Sequence, residues 1–369
     1  MPRLRYAVFR DRAVLTDSDT FEFSLSGLQG VSALDIVIRA TNGATSNQGV
    51  PISTDIDKIE VVDGSKVIYS LSGVQARALN CYEMGRYPTI LADERAAAVQ
   101  EEIFRISFGR RVGDPLYWFD PARYANPMLR VTLSLTISAT AGFATGTGRV
   151  SVIGHVWDQK PGGRLGCMIA KEYKSYTSVA SGDDRANLPV DLPYRMLIVR
   201  AYETAIAWHT DITQVKLTLD NDSYVPLDVR AEQLRNLNAE RFGLFRTSQV
   251  LFRTDADAPE CWLAYPIEWA ANALQDLDIA SVDAQTIDQL TLQLITLAAT
   301  PTVAKSTTDR AINLIAAGYL PHFAACIPFG QLDEPASWLS PEGVGKMELV
   351  LTQGGAGAAV SIFGQQVGP

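Results

Sequence analysis

At 369 residues, 47% of them hydrophobic and 20% charged, the chain is long enough for two domains of ordinary size and too apolar for general disorder. A formal net charge of −9 argues against a dedicated nucleic-acid binder, whose footprint is a basic face, so no sequence-specific nucleic acid binding is expected. The cysteines (Cys81, Cys167, Cys261, Cys326) are scattered with no CxxC, which predicts small buried apolar residues of a protein folded in a reducing compartment.

In chain order, Met1–Arg12 holds Arg3, Arg5, Arg10 and Arg12, the only local basic excess. It reads first as a solvated or mobile tail, and second as an arm touching an anionic surface such as lipid head groups. It has no apolar core before its charges, so no signal peptide is expected. No apolar run reaches the length of a membrane-crossing helix, which leaves peripheral membrane association only. Strand signals then dominate. FEFSL at Phe21–Leu25 alternates apolar and polar residues, as a half-buried strand does, and Ala33–Arg39, Ile59–Val62 and Val67–Ser70 follow. Asp63-Gly64 between the last two is a hairpin signal. Val74–Met84 reads as a short amphipathic helix stopped by Gly85. Leu129–Ile137 and Val150–Trp157 are strands joined by a small-residue loop. The second half repeats the series with Tyr194–Tyr202, Val215–Leu219, a helix over Val229–Phe242 stopped by Gly243, Met347–Thr352 and Ala359–Val367. Many short strands separated by turns indicate an all-β sandwich or barrel.

The repetition is visible in the letters. FRISFG, WFDP, MLRVTLS and GRVSVIGHV in the first half return in order as AACIPFG, WLSP, MELVLTQ and AAVSIFGQQV. The stretches starting at Asp55 and Asp211 form a further parallel pair. One plan written twice predicts two similar domains, 1–160 and 161–369, each with one short flanking helix. The spacing between copies widens after Gly243, which places an insertion at about 245–320 in the second copy only. That segment carries CWLAYPIEW, an alternating strand Gln289–Leu297 and the apolar stretch Ala311–Tyr319.

Catalytic motifs are scarce. His155, His209 and His322 are far apart in sequence, with no HxxxH or HExxH spacing, so neither a metal nor a cofactor is expected and the chain does not read as an enzyme. There is no GxSxG and no GxxxxGK[ST]. Gly354–Gly357 reads as a hairpin loop, because too little chain follows for a dinucleotide fold. Asp220-Asn221-Asp222 reads as a solvated turn, lacking the other positions of a calcium loop. Trp118, Phe119 and Tyr124 in YWFDPARYANP, and Trp338 in SWLSP, stand out instead. Such apolar loops before a core strand suggest loop packing or a subunit contact.

FGRRVGDPLYWFDPARYANPMLRVTLSL and SWLSPEGVGKMELVLTQGGAGAAVSIFGQQV together resemble the double jelly-roll major capsid proteins of the tectivirus–adenovirus lineage, in particular those of tailless bacteriophages and proviruses. The resemblance implies two tandem jelly-roll β-sandwiches and a homotrimer of hexagonal outline. It implies an icosahedral capsid lattice, made in the host cytoplasm and often laid over an internal membrane. Penton and minor membrane proteins would be further partners, and Arg3, Arg5, Arg10 and Arg12 would be a membrane-proximal arm. The insertion departs from the shortest such proteins and would elaborate the outer face. The competing expectation is a viral spike or tail-type tandem sandwich that binds carbohydrate, with Trp262 and Trp269 beside Glu260 and Glu268 as its only candidate cleft. A cupin-type metal enzyme would need a histidine set that the chain lacks.

Overall fold

The computed structural model describes the chain from Pro2 to Arg253, apart from residues 48–49, 89, 92–95 and 204–205, and from Arg310 to Pro369. Between these stretches only the short strands given below are described. The first half forms β1 (Leu4–Val14), β2 (Ser18–Ser24), β3 (Val31–Asn47), β4 (Ile56–Asp63), β5 (Lys66–Leu71), α1 (Gly73–Met84), β6 (Ile90–Leu91), β7 (Val99–Ser107), β8 (Pro127–Ser134), β9 (Ala141–Phe143) and β10 (Arg149–Trp157). The second half opens with β11 (Cys167–Thr177), β12 (Gly182–Leu188), β13 (Tyr194–Tyr202), α2 (Trp208–Asp211), β14 (Ile212–Leu219), β15 (Tyr224–Arg230) and α3 (Ala231–Phe242). Next come β16 (Phe245–Arg253), β17 (Glu260–Cys261), β18 (Glu268–Leu274), β19 (Ile279–Asp283), β20 (Leu290–Thr291), β21 (Gln293–Thr296) and β22 (Arg310–Tyr319). The chain closes with β23 (Ala324–Pro328), β24 (Met347–Gln353) and β25 (Ala359–Gly368).

Each half is a jelly roll. In the first, the order β1-β10-β3-β7 faces the order β2-β8-β4-β5; in the second, β11-β25-β13-β23 faces β12-β24-β14-β15. The two series match strand for strand, so one topology is built twice. Alternation supplies the cores: β8 turns Leu129, Val131 and Leu133 inward, and β14 does the same with Val215 and Leu217. The first series of strands ends with β10 at Trp157 and the second begins with β11 at Cys167. The insertion after α3 holds a three-stranded sheet, β16-β22-β18, and two small strand pairs.

Several expectations change in detail. Residues 4–14 are not a tail but strand β1, paired antiparallel with β10 at the edge of its sheet. Its alternation is hidden in the letters because two register shifts, between Val8 and Arg10 and between Arg10 and Ala13, break the period of two. The strand beginning at Leu129 stops at Ser134, the second helix begins at Ala231, and the second roll carries an extra four-residue helix, α2. Of the strand expected over Gln289–Leu297, the described residues form β20, paired with β17, and β21, paired with β19.

One arrangement had no local sequence signal. β5, at the edge of the first roll, pairs in parallel with β11 of the second through Tyr69↔Ala170 and Lys171↔Ser70. A single eight-stranded sheet therefore runs across the boundary, and the inner face of one roll continues as the outer face of the other. Core residues of the first roll and outer-face residues Ala170, Met196, Ile198, Cys326 and Phe363 of the second form one apolar cluster, while the second roll keeps its own core around Leu197, Val199, Ile212 and Leu349.

Candidate functional site

The chemistry-bearing side chains gather where the two rolls meet. Helix α1 starts with a capping box: Ser72 Oγ accepts from the Gln75 amide, and the Ser72 amide donates to Gln75 Oε1. Its Asn80 clamps the neighbouring strand, accepting from the Arg105 amide at 2.9 Å and donating to the Arg105 carbonyl at 2.7 Å. Asn238 of α3 does the same to Cys326 of β23, at 2.8 Å in both directions. The repeated Leu-Asn at positions 79–80 and 237–238 is the sequence signal for this pair of clamps.

The far side of α1 faces the second roll. Tyr82 donates to the Ala324 carbonyl at 2.5 Å, and Gln75 bonds Glu172. Glu83 lies 3.8 Å from Arg195 and accepts from Gln365 at 2.7 Å. Arg195 is 2% exposed and spends its donors on Gln365 (2.6 Å), the Leu332 carbonyl (2.9 Å) and the Arg110 carbonyl (3.1 Å). Burial raises the Glu83 carboxyl, with the Arg195 charge pulling the other way. Arg110 is held by Asp114 at 2.6 Å and donates across the junction to the Asp333 carbonyl.

The long loops before β8 and β24 form the floor of this junction. Phe119 exchanges both backbone hydrogen bonds with Val31 at 2.8 Å, and Leu339 makes the matching pair with Tyr194. Phe119 stacks between Phe108 and Tyr124, each at 4.9 Å. Trp118 lies over Gly30, where a Cβ would meet the indole at 2.6 Å, and Arg164 lies above its ring. Tyr117 and Trp338 approach to 6.2 Å and pack with Met168, so the two loops touch each other. Trp118, Phe119 and Trp338 are buried inside the chain and Tyr124 is half-buried, so these rings pack within the chain rather than standing free for a neighbouring subunit.

Arg3, Arg5, Arg10 and Arg12 are exposed but do not gather. A strand spreads the first and last over about 30 Å, so they line an edge instead of forming one basic patch. Arg3 and Arg5 lie toward the end that carries the two loops, and Arg12 toward the opposite end, where the insertion enters the second roll.

The three histidines stand apart. His155 bonds Asp35 at 2.7 Å on the outer face of the first roll, where Asp35 also takes two bonds from Arg105. His209 lies in α2, and His322 is buried before β23, where burial lowers its pKa well below the usual imidazole value. Among the described residues no group of three His, Cys, Asp or Glu side chains forms a metal site. Asp220 accepts from the Gly345 and Lys346 amides, tying two loops together. Trp262 lies outside the described residues, and Glu260 and Glu268 stand on strands of different sheets.

One carboxyl is poised near neutrality. Asp211 is fully buried, and burial, followed by the charge of Glu203, pushes its pKa up from 3.8 to about 6. A raised folded value means that the folded chain binds this proton more tightly. The contribution is fully present below pH 3.8 and is lost as pH rises through about 6. Asp211→Asn removes that loss. It should stabilise the chain by about 1 kcal/mol at pH 7 and confer no such gain at pH 4, as urea titrations at the two values would show. Equal effects at both values would refute the assignment.

No family model matches the chain, and no curated protein matches it. Solved structures do. The major capsid protein of STIV, Sulfolobus Turreted Icosahedral Virus, superposes with a TM-score of 0.58 at 12% identity, covering 100% of this chain and 97% of that one. The PBCV-1 virus capsid model gives 0.56 at 8% identity, with 100% and 94% covered. The major capsid protein of bacteriophage PM2 gives 0.54 at 8% identity, with 100% and 98% covered. The likeness establishes a shared fold of two tandem jelly rolls over the whole chain.

Proposed function

We propose that this chain is a viral major capsid protein whose trimers, hexagonal in outline, tile an icosahedral shell. The observation that carries the reading is the edge-to-edge joining of two rolls of matching topology through one shared sheet, matched over nearly the full length of three capsid structures. Two equivalent lobes per chain let a three-fold oligomer fill a six-fold lattice position. The product of the fold is then geometry: the buried charges at the junction are spent on holding the rolls together.

In this reading the chain's first partner is itself, and penton or minor membrane proteins complete the shell. We assign the end bearing the two aromatic loops, with Arg3 and Arg5, to the inner surface and an underlying membrane. The insertion, which enters the second roll from the opposite end, elaborates the outer surface. The chain is made in the host cytoplasm and resides in the virion. Mass measurement in solution with negative-stain imaging tests the proposal, and trimeric hexagonal particles are the expected result. A monodisperse monomer under every assembly condition would sink it. Deleting 250–318 should leave trimers intact.

A further inference from the structure

We infer that the first roll carries a binding site for a doubly charged tetrahedral oxyanion, phosphate or sulfate, held by Arg12, Arg39 and Arg149. The anion is either free or the ester of a small molecule, and the site does not depend on the capsid reading. The three arginines line an open hollow of about 310 Å³ on the sheet β1-β10-β3-β7, with Thr41, Thr147 and Val99 completing its wall. That volume lies at the lower end of small-molecule sites. Three positive charges face the hollow and no lining residue is acidic, in a chain whose formal net charge is −9.

The strands bring these charges together against their repulsion. Ile38, Ala40 and Val150 are buried in the core, so the alternation of β3 and β10 turns Arg39, Thr41 and Arg149 to the outer face. Arg39 and Arg149 are direct cross-strand partners, and like charges so placed destabilise a sheet. Arg12 joins them from a bulge in β1, where the register shifts between Arg10 and Ala13. Its φ of 46° lies in the left-handed region, an uncommon and strained conformation for arginine. Bulges re-aim side chains, and here the Arg12 amide is pinned to Ser151 Oγ at 2.9 Å.

Existing partners fix the guanidinium groups without filling the hollow. Arg149 Nη1 donates to the Gly146 and Gly148 carbonyls at 3.0 and 2.6 Å. Arg39 meets Glu101 through Nε at 2.9 Å, and Asp11 accepts from Ser151 at 3.3 Å; neither carboxylate is part of the lining. A planar guanidinium offers paired donors that match a tetrahedral oxyanion, and one dianion offsets the repulsion of the bare pair. The jelly-roll topology does not require these arginines. With VSVIGHV of β10 aligned on VSIFGQQV of β25, Ala359 stands at the position of Arg149, and its partner Tyr202 at that of Arg39. The second roll builds the same strands with neither charge.

Calorimetric titration of the purified full-length chain with inorganic phosphate, glucose 6-phosphate and glucose, at neutral pH and low ionic strength, tests the site. At least one of the two phosphates should bind with sub-millimolar affinity, and glucose should not bind. Tighter binding of the ester would assign the site to esterified anions, with Val99 against the carbon body; tighter binding of inorganic phosphate would assign it to the free ion. Arg12→Gln removes an exposed side chain and should weaken binding by about 10-fold. Combining it with Arg149→Gln should abolish binding. Arg5→Gln removes the same charge near the other end of β1 and should leave binding unchanged. No binding of either phosphate at millimolar concentration would overturn the inference. So would equal losses in Arg12→Gln and Arg5→Gln, which would show diffuse attraction to surface charge instead of a site.

Discussion

Arg195→Ala should destabilise the folded chain by about 3–5 kcal/mol, the range seen when one partner of a buried charge network is removed. The guanidinium is 2% exposed, and its loss would strand four groups drawn from four parts of the chain: Glu83, Gln365 and the carbonyls of Leu332 and Arg110. Glu83 would then be a buried carboxylate without its cation. Arg195→Lys should recover little, because one ammonium cannot reach acceptors that the planar fork meets on three sides. Since the network ties α1 of the first roll to the second, its loss should also separate the unfolding of the two halves. Chemical denaturation followed by tryptophan fluorescence measures both effects. A change below about 1 kcal/mol would show that the network is energetically idle.

Phe119→Ala should cost a similar amount, about 3–5 kcal/mol, for a different reason. The ring is fully buried between Phe108 and Tyr124 in a packed loop whose backbone is pinned to Val31, so the site cannot collapse around the void. Phe119→Leu, which keeps most of the volume, should cost about 1.5 kcal/mol or less. Thermal melts of the two variants against the parent chain check the ratio. Equal, small shifts in both would mean that the loop is loosely packed.

The repeat was legible because the pieces that match are the ones that barrel geometry constrains most. VSVIGHV and VSIFGQQV keep a glycine where an aromatic ring must cross the strand, and each long loop keeps a tryptophan beside the residue that pairs with the start of a core strand. Strand β1 was hidden for a physical reason: two register shifts disrupt its alternation, and its arginines face solvent along a sheet edge. β12 was hidden likewise by GDDR on an exposed edge. The junction could not be read at all. Glu83, Arg195 and Gln365 come together from three distant segments, and no local pattern announces a partner so far away in sequence. The letters left the aromatic loops open between packing within the chain and a subunit contact, because they do not show which neighbours the fold brings to them.

The sheet that crosses the boundary has a mechanical consequence. Two domains on a tether can pivot; two domains sharing peptide hydrogen bonds and one continuous apolar layer behave as a single plate. Among the described residues the β5–β11 pairing bridges the two rolls, so a hinge between them opens only by breaking it, and bending under lateral load falls more easily between chains. A shell made of such plates would set its curvature, and would fracture, along the seams between molecules and not within them.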